Sequence, residues 1–229
     1  MSLPQRYISI LKLGWPILVG QLGMIFVGFA DNIMVGRYST EALASASFVN
    51  NVFNVAILAC VGFTYGLTPV VGAMFARGES DAIGGELRNS LIVNTLFAIL
   101  VTALMTGLYF ALPSLGQPEE LLPLIRPYFI TYLAGVVAVS LFNVFAQWSY
   151  GIGDTKTPTV IVLSANALNI LGNYMLIYGK LGAPEMGLTG AGISTLVARW
   201  VCPVAIYWTF RRFSRNACYR PAFRRARLS

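Results

Sequence analysis

Charge is scarce in this sequence: 11% of its 229 residues are Asp, Glu, Lys or Arg, while 56% are hydrophobic. A water-soluble globular domain carries charge on about 25% of its residues. Too little is present here to coat a surface that faces water, so lipid is the expected solvent for most of it. Histidine is absent and no residue cluster has metal-ligand spacing, which argues against a zinc site. Cys60 and Cys202 fall in apolar stretches and Cys218 in a basic one. They form no disulfide framework and read as free thiols. No segment alternates apolar and polar residues between hairpin turns, so strands are not expected.

The charge that exists is unevenly placed. The net charge is +7, and Arg211, Arg212, Arg215, Arg220, Arg224, Arg225 and Arg227 supply the whole excess. Removing these 7 from the 16 basic residues leaves 9 against 9 acidic ones. Arginines directly after a final hydrophobic span mark the cytoplasmic side and meet anionic lipid. The segment 211–229 is therefore read as a basic cytoplasmic tail rather than a nucleic-acid arm, and no nucleic-acid partner is expected.

Six apolar runs are long enough to cross a bilayer, which needs roughly 20 residues. Their approximate limits are 13–36, 42–76, 89–112, 128–150, 158–178 and 188–210, so residues 1–210 form one six-helix transmembrane unit. The first run exceeds the apolar core of a secretory signal and carries Pro16 and Asp31, so it reads as a retained helix. The second is longer than a bilayer requires. Charged residues and Gly84–Gly85 mark 77–88 as a loop. Prolines at 113, 118, 123 and 127 mark another, and residues 151–157 form a tight polar turn. With both ends in the cytoplasm, the inner segments hold Arg6, Lys12, Arg77, Arg88, Lys156 and the tail, and the outer loops hold Arg37, Arg126 and Lys180. That bias predicts a multi-pass protein of the cell (inner) membrane with both termini cytoplasmic.

Polar side chains inside a span cost free energy unless they are paired. Asp31 falls five residues from the expected outer end of helix one, and Asn173 five from that of helix five. Asn169 lies one turn deeper on the same face as Asn173. Helix two brings Asn50, Asn51 and Asn54 to a comparable depth, and helix six brings Ser194 and Thr195. A carboxylate among amides and hydroxyls is suited to hold a proton or a small cation. For the asparagines of helix two, plain helix-to-helix bonding is an equally good reading. Arg199, midway along helix six, reaches either Asp31, backbone carbonyls or a watery cavity. Tyr150, Trp148, Tyr207 and Trp208 lie near span ends and serve as interfacial belt or packing residues. Pro16 interrupts the hydrogen-bond ladder of helix one and marks a possible bend.

These residues resemble the multidrug and toxic compound extrusion (MATE) family. The resemblance runs through a helix-one proline, then FADNIMVG at 29–36, PVVGA at 69–73, GIGDTKTP at 151–158, LNILGNY at 168–174 and YGKLGAPE at 178–185. Together they cover nearly the whole chain. The resemblance implies an all-α integral membrane fold in which this six-helix bundle is one lobe of a two-lobe transporter. It implies cation-coupled antiport, driven by H⁺ or Na⁺, that expels small amphipathic or cationic compounds without an organic cofactor. Asp31 matches the family's essential helix-one acid, Asn169 and Asn173 its helix-five polar pair, and Ser194 and Thr195 loosely its helix-six polar region. Some members carry aspartate where Asn173 stands.

In that family substrate passes between two lobes. This chain is therefore expected to supply the N-terminal one, with a second six-helix lobe as a separate chain or a second copy. Its arginine-rich end resembles the linker between lobes. A flippase for lipid-linked oligosaccharide, from the same broader superfamily, is the alternative, although it calls for a cationic cavity and only Arg199 offers itself. An inactive truncated fragment is a third reading. An intramembrane enzyme is disfavoured, because no second acid, metal-ligand set or activated nucleophile accompanies Asp31.

Overall fold

A computed structural model describes residues 3–225; Arg227 of the expected tail lies outside them. Among the described residues eight α-helices are formed: α1 (Leu3–Tyr38), α2 (Thr40–Thr64), α3 (Leu67–Ala76), α4 (Ser80–Ala111), α5 (Leu122–Gly151), α6 (Lys156–Tyr178), α7 (Gly187–Arg212) and α8 (Arg220–Arg225). Six spans are long and apolar enough to cross a membrane, α2 and α3 together making one of them. Within hydrocarbon every backbone N–H and C=O needs an internal partner, which helices supply along their own length.

Local chemistry sets the turns. Ser39 alone separates α1 from α2. Its hydroxyl accepts from the Ala42 amide at 3.2 Å and donates to Glu41 Oε2 at 2.6 Å, closing the first turn of α2. The long second span breaks at Tyr65–Gly66 because Pro69 has no N–H for the Tyr65 carbonyl four residues earlier, and its ring crowds that carbonyl. The Tyr65 amide turns to the Gly62 carbonyl instead, a tighter 3₁₀-type bond. At the far end of α6, Gly179 adopts φ +64° and lets the Lys180 amide return to the Met175 carbonyl.

Two stretches differ from the sequence reading. The expected loop 77–88 is confined to residues 77–79, and α4 begins at Ser80. Gly84 signals close backbone approach rather than a loop, for a Cβ there would meet the Tyr219 carbonyl. The prolines after Pro113 do not hold the chain open as far as 127 either. Pro123 lies at the helix start, where its missing N–H costs nothing, and Pro127 is carried within the first turns of α5.

The bundle has two apolar cores. One, near the Ser39 end, is built on Val49, Phe53, Phe129 and Ile177. The other, at the opposite end, is built on Val71, Leu87, Trp148 and Phe210. Trp148 is 2% exposed and donates Nε1–H to the Ile83 carbonyl at 3.2 Å, so it is a packing residue rather than a lipid-facing one. Beyond α7 the chain turns back on this second core. A 3₁₀ segment, Ser214–Tyr219, leads into α8, and the Tyr219 ring meets Trp148 edge-on at 5.3 Å. Arg215 bonds Asp154 and Thr157 Oγ1, both at 2.5 Å. Arg220 donates to the Phe210 and Phe213 carbonyls, closing the end of α7. These two arginines serve the protein itself rather than lipid alone.

Small residues bring α6 and α7 together. A Cβ at Gly172 would lie 2.5 Å from Ser194 Oγ, and one at Gly190 would lie 2.6 Å from the Leu176 carbonyl. Close approach through small residues is how helices associate where no hydrophobic drive exists. Helix α1 packs on α6 in the same manner, with Gly20 against Thr159 and Gly23 against Leu163. Much of its remaining surface, including Trp15, Leu22, Phe26 and Phe29, is exposed.

Two outcomes follow from this packing. In Gly84→Ala the new methyl meets a backbone carbonyl that cannot swing aside, so trypsin should cut the arginine-rich segment faster than in the native chain in a timed digest. In Gly172→Ala, overpacking against Ser194 should cost about 1–3 kcal/mol, seen as a lower unfolding midpoint in lipid or detergent.

Candidate functional site

The polar residues of α1, α6 and α7 converge where these helices meet near the Ser39 end of the bundle. Asp31 is half-buried on α1. Because α1 continues to Tyr38, two residues beyond the expected end, Asp31 sits about 10 Å from that terminus at 1.5 Å per residue. The Asn173 amide donates Nδ2–H to Asp31 Oδ1 at 2.5 Å. Asn173 is 0% exposed, and its Oδ1 is buried with no partner.

Asn169, 3% exposed, lies one turn along the same face. An amide oxygen set against a carboxylate is repulsive, so its nitrogen faces Asp31. In that orientation it donates to Asp31 Oδ1 at 3.0 Å, and its own oxygen accepts from Thr195 Oγ1 and the Thr195 amide, each at 3.2 Å. The Ser194 hydroxyl donates to the Asn169 carbonyl at 2.8 Å, which fastens α7 to α6 directly behind the amide. Asp31, Asn169, Asn173, Ser194 and Thr195 thus form one hydrogen-bonded group drawn from three helices.

Two contacts fix α1 against α6 on either side of it. Tyr178 Oη donates to the Met34 carbonyl at 2.7 Å. Thr159 Oγ1 donates to the Pro16 carbonyl at 2.9 Å. Helix α1 runs unbroken through Pro16. Asn54 is exposed and shares no hydrogen bond with the group among the described residues. Asn50 retains an unpartnered Oδ1 elsewhere on α2.

Three features escaped the sequence reading. Asn166 adds a third amide to the α6 face, with a buried, unpartnered Nδ2; its spacing of three and seven residues from Asn169 and Asn173 was the available signal. Tyr128 and Tyr132, one helical turn apart on α5, join hydroxyl to hydroxyl at 3.3 Å. Both fall within the expected fourth run, 128–150, but at its very start, where the sequence assigned them no role. Arg199 makes no ion pair with Asp31 among the described residues; its guanidinium lies over the Tyr132 ring, 4.1 Å from the centroid.

The chemistry of the group is narrow. It presents one carboxylate, two amides and two hydroxyls, all hard oxygen or N–H groups. Such a donor set suits a proton or a cation that prefers oxygen ligands. The unpartnered Asn173 Oδ1 beside the carboxylate is an acceptor left open for it, so the residues present fit a small cation.

The MatE family profile matches residues 16–175. A probable multidrug resistance protein NorM of Photorhabdus laumondii is 32% identical over 217 residues, covering 94% of this chain and 48% of its own length. The multidrug resistance protein NorM of Vibrio cholerae is 29% identical over 193 residues, covering 84% and 42%. Among solved structures, a eukaryotic MATE transporter superposes with a TM-score of 0.84 at 15% identity, over 98% of this chain and 48% of that one. A MATE protein in a bent conformation gives 0.79 at 22% identity, over 92% and 46%. The chain spans about half the length of the curated relatives it matches. With six membrane helices, this fold and this match, the chain belongs to the multidrug and toxic compound extrusion (MatE) family and corresponds to the N-terminal lobe of its transporters.

Proposed function

We propose that this chain supplies the N-terminal lobe of a cation-coupled antiporter that expels small amphipathic or cationic compounds, with H⁺ or Na⁺ as the coupling ion. The observation that carries the reading is the Asp31 carboxylate held by Asn173 at 2.5 Å within a membrane span, beside the orphaned Asn173 Oδ1. A charge at the bilayer centre costs about 2.5–3.5 kcal/mol on insertion scales. A proton or sodium ion at Asp31 removes that charge, so occupancy favours whichever arrangement of α1, α6 and α7 encloses the group. A ligand shifts such an equilibrium only by binding the two arrangements differently. Asp31 meets this condition because its partners lie on other helices, and any movement of α1 against α6 breaks the bond to Asn173.

Substrate enters the account through α1. Its exposed apolar face and the half-buried polar group lie on one helix, so a change of α1 position alters both together. In transporters built of paired repeats, the path runs between the halves and access alternates as one rocks against the other. A second six-helix lobe, from another chain or another copy of this one, completes the path in this reading. In this reading the basic segment after α7 leads toward that lobe, and both ends of the bundle lie on the cytoplasmic side of the cell membrane, an orientation that the positive-inside bias supports. The names of the NorM relatives, which describe multidrug resistance, support this substrate class.

The test is resistance in cells carrying the assembled transporter. Asp31→Asn keeps the size of the side chain and one acceptor oxygen for the Asn173 amide, and removes the charge. Drug resistance is expected to fall to that of cells without the transporter, with membrane levels unchanged by immunoblot. Full resistance in that variant rejects Asp31 as the coupling group.

A further inference from the structure

Arg199 has no part in the coupling group, and its surroundings are built for it. It stands midway along α7, about 18 Å from Gly187 at 1.5 Å per residue, where a guanidinium is costly unless something meets it. One face rests on the Tyr132 ring, 4.1 Å from the centroid. Its stem and Nη1 lie over Gly135 of α5, and a Cβ there would come 2.9 Å from Cδ and 3.1 Å from Nη1. The absence of a side chain at 135 is therefore what admits the arginine. The next residue, Trp200, donates to the Ala134 carbonyl at 3.1 Å and fixes the rotation of α7 at this level. Ring, glycine notch and indole together hold the guanidinium in place before any ligand arrives.

What it lacks is an acceptor. Nη1 is buried and unpartnered, and neither ion pair among the described residues includes Arg199. The Tyr132 hydroxyl accepts from Tyr128 at 3.3 Å, which leaves its own proton to give. Two unspent donors on a preorganised cationic and aromatic wall call for an oxygen anion attached to an apolar body.

We propose that Arg199, with Tyr132, is a binding site for the carboxylate of an amphipathic organic acid inside the lobe. A single guanidinium carries one charge, which matches a monoanion; pyrophosphate carries more than this site neutralises. Mid-membrane depth excludes a phospholipid headgroup, which stays at the interface. The lobe then bears two poles, Asp31 for a cation and Arg199 for a carboxylate. The site shares with the proposed function only the premise that the lobe interior admits ligands.

The test is equilibrium dialysis of radiolabelled naphthoate and neutral naphthamide against the purified chain in lipid nanodiscs, with binding to empty nanodiscs subtracted. The two probes share a ring system and differ in charge. Naphthoate is expected to bind saturably and about tenfold tighter, a factor equal to about 1.4 kcal/mol. Arg199→Met should abolish that preference and Arg199→Lys retain part of it, since lysine keeps the charge but not the planar fork. Gly135→Ala should reduce it by displacing the arginine. Equal affinity for the two probes in the native chain overturns the proposal without recourse to any variant. So does an undiminished preference in Arg199→Met, or stronger displacement of naphthoate by pyrophosphate than by benzoate. None of these results depends on coupling at Asp31, which the resistance assay reads separately.

Discussion

A carboxylate within a hydrocarbon layer has no bulk water to solvate it, so other helices must bring partners to Asp31. The bond from Asn173 at 2.5 Å is the first of these, and much of the surrounding structure makes it possible. Asn173 holds its position because α6 packs tightly on α7 at Gly172 and Gly190. That contact in turn places Ser194 on the Asn169 carbonyl and Thr195 on the Asn169 amide. Helix α1 is held in register by Tyr178 on one side and Thr159 on the other. Remove the glycines and the amides withdraw; remove the amides and the carboxylate stands alone in apolar surroundings.

The two ends of the bundle are built differently. At the Ser39 end, the connections beside the site are short, and the polar group lies within about three turns of them. At the other end, an aromatic core around Trp148 receives the returning segment 214–225 through backbone and arginine contacts. That segment is joined to the 151–157 turn by Arg215 and Asp154. The end of α7 and the start of α6 are thereby tied together, and α1, covered on one face only, is the span with the fewest ties to the rest.

Much of this was legible in the sequence, for a physical reason. Lipid demands continuous helices, so apolar runs report the six spans, and an acid within one of them stands out. The spacing of Asn169 and Asn173 reported a shared face, and the structure places that face against Asp31. What was not legible depends on tertiary contact. Gly84 reads as a turn residue until the Tyr219 backbone is seen beside it. Pro123 and Pro127 read as breakers because their position relative to the helix start was not known, and that error delayed the expected start of the fourth span to 128, against Leu122 in the structure. Asn54 matched in depth, but depth does not fix the direction a side chain faces. For Arg199, sequence offered a choice between an acid, a carbonyl and a cavity; the aromatic ring of Tyr132 on another helix was not among them.

The proposed role of Asp31 is tested most directly by infrared difference spectroscopy on the purified chain in lipid, recorded as pH is lowered and, separately, as sodium is added. A change in a carboxylate band that disappears in Asp31→Asn, under at least one of the two conditions, is the result predicted for a coupling-cation site. Spectra of the native chain that show no Asp31-dependent change under either condition contradict it.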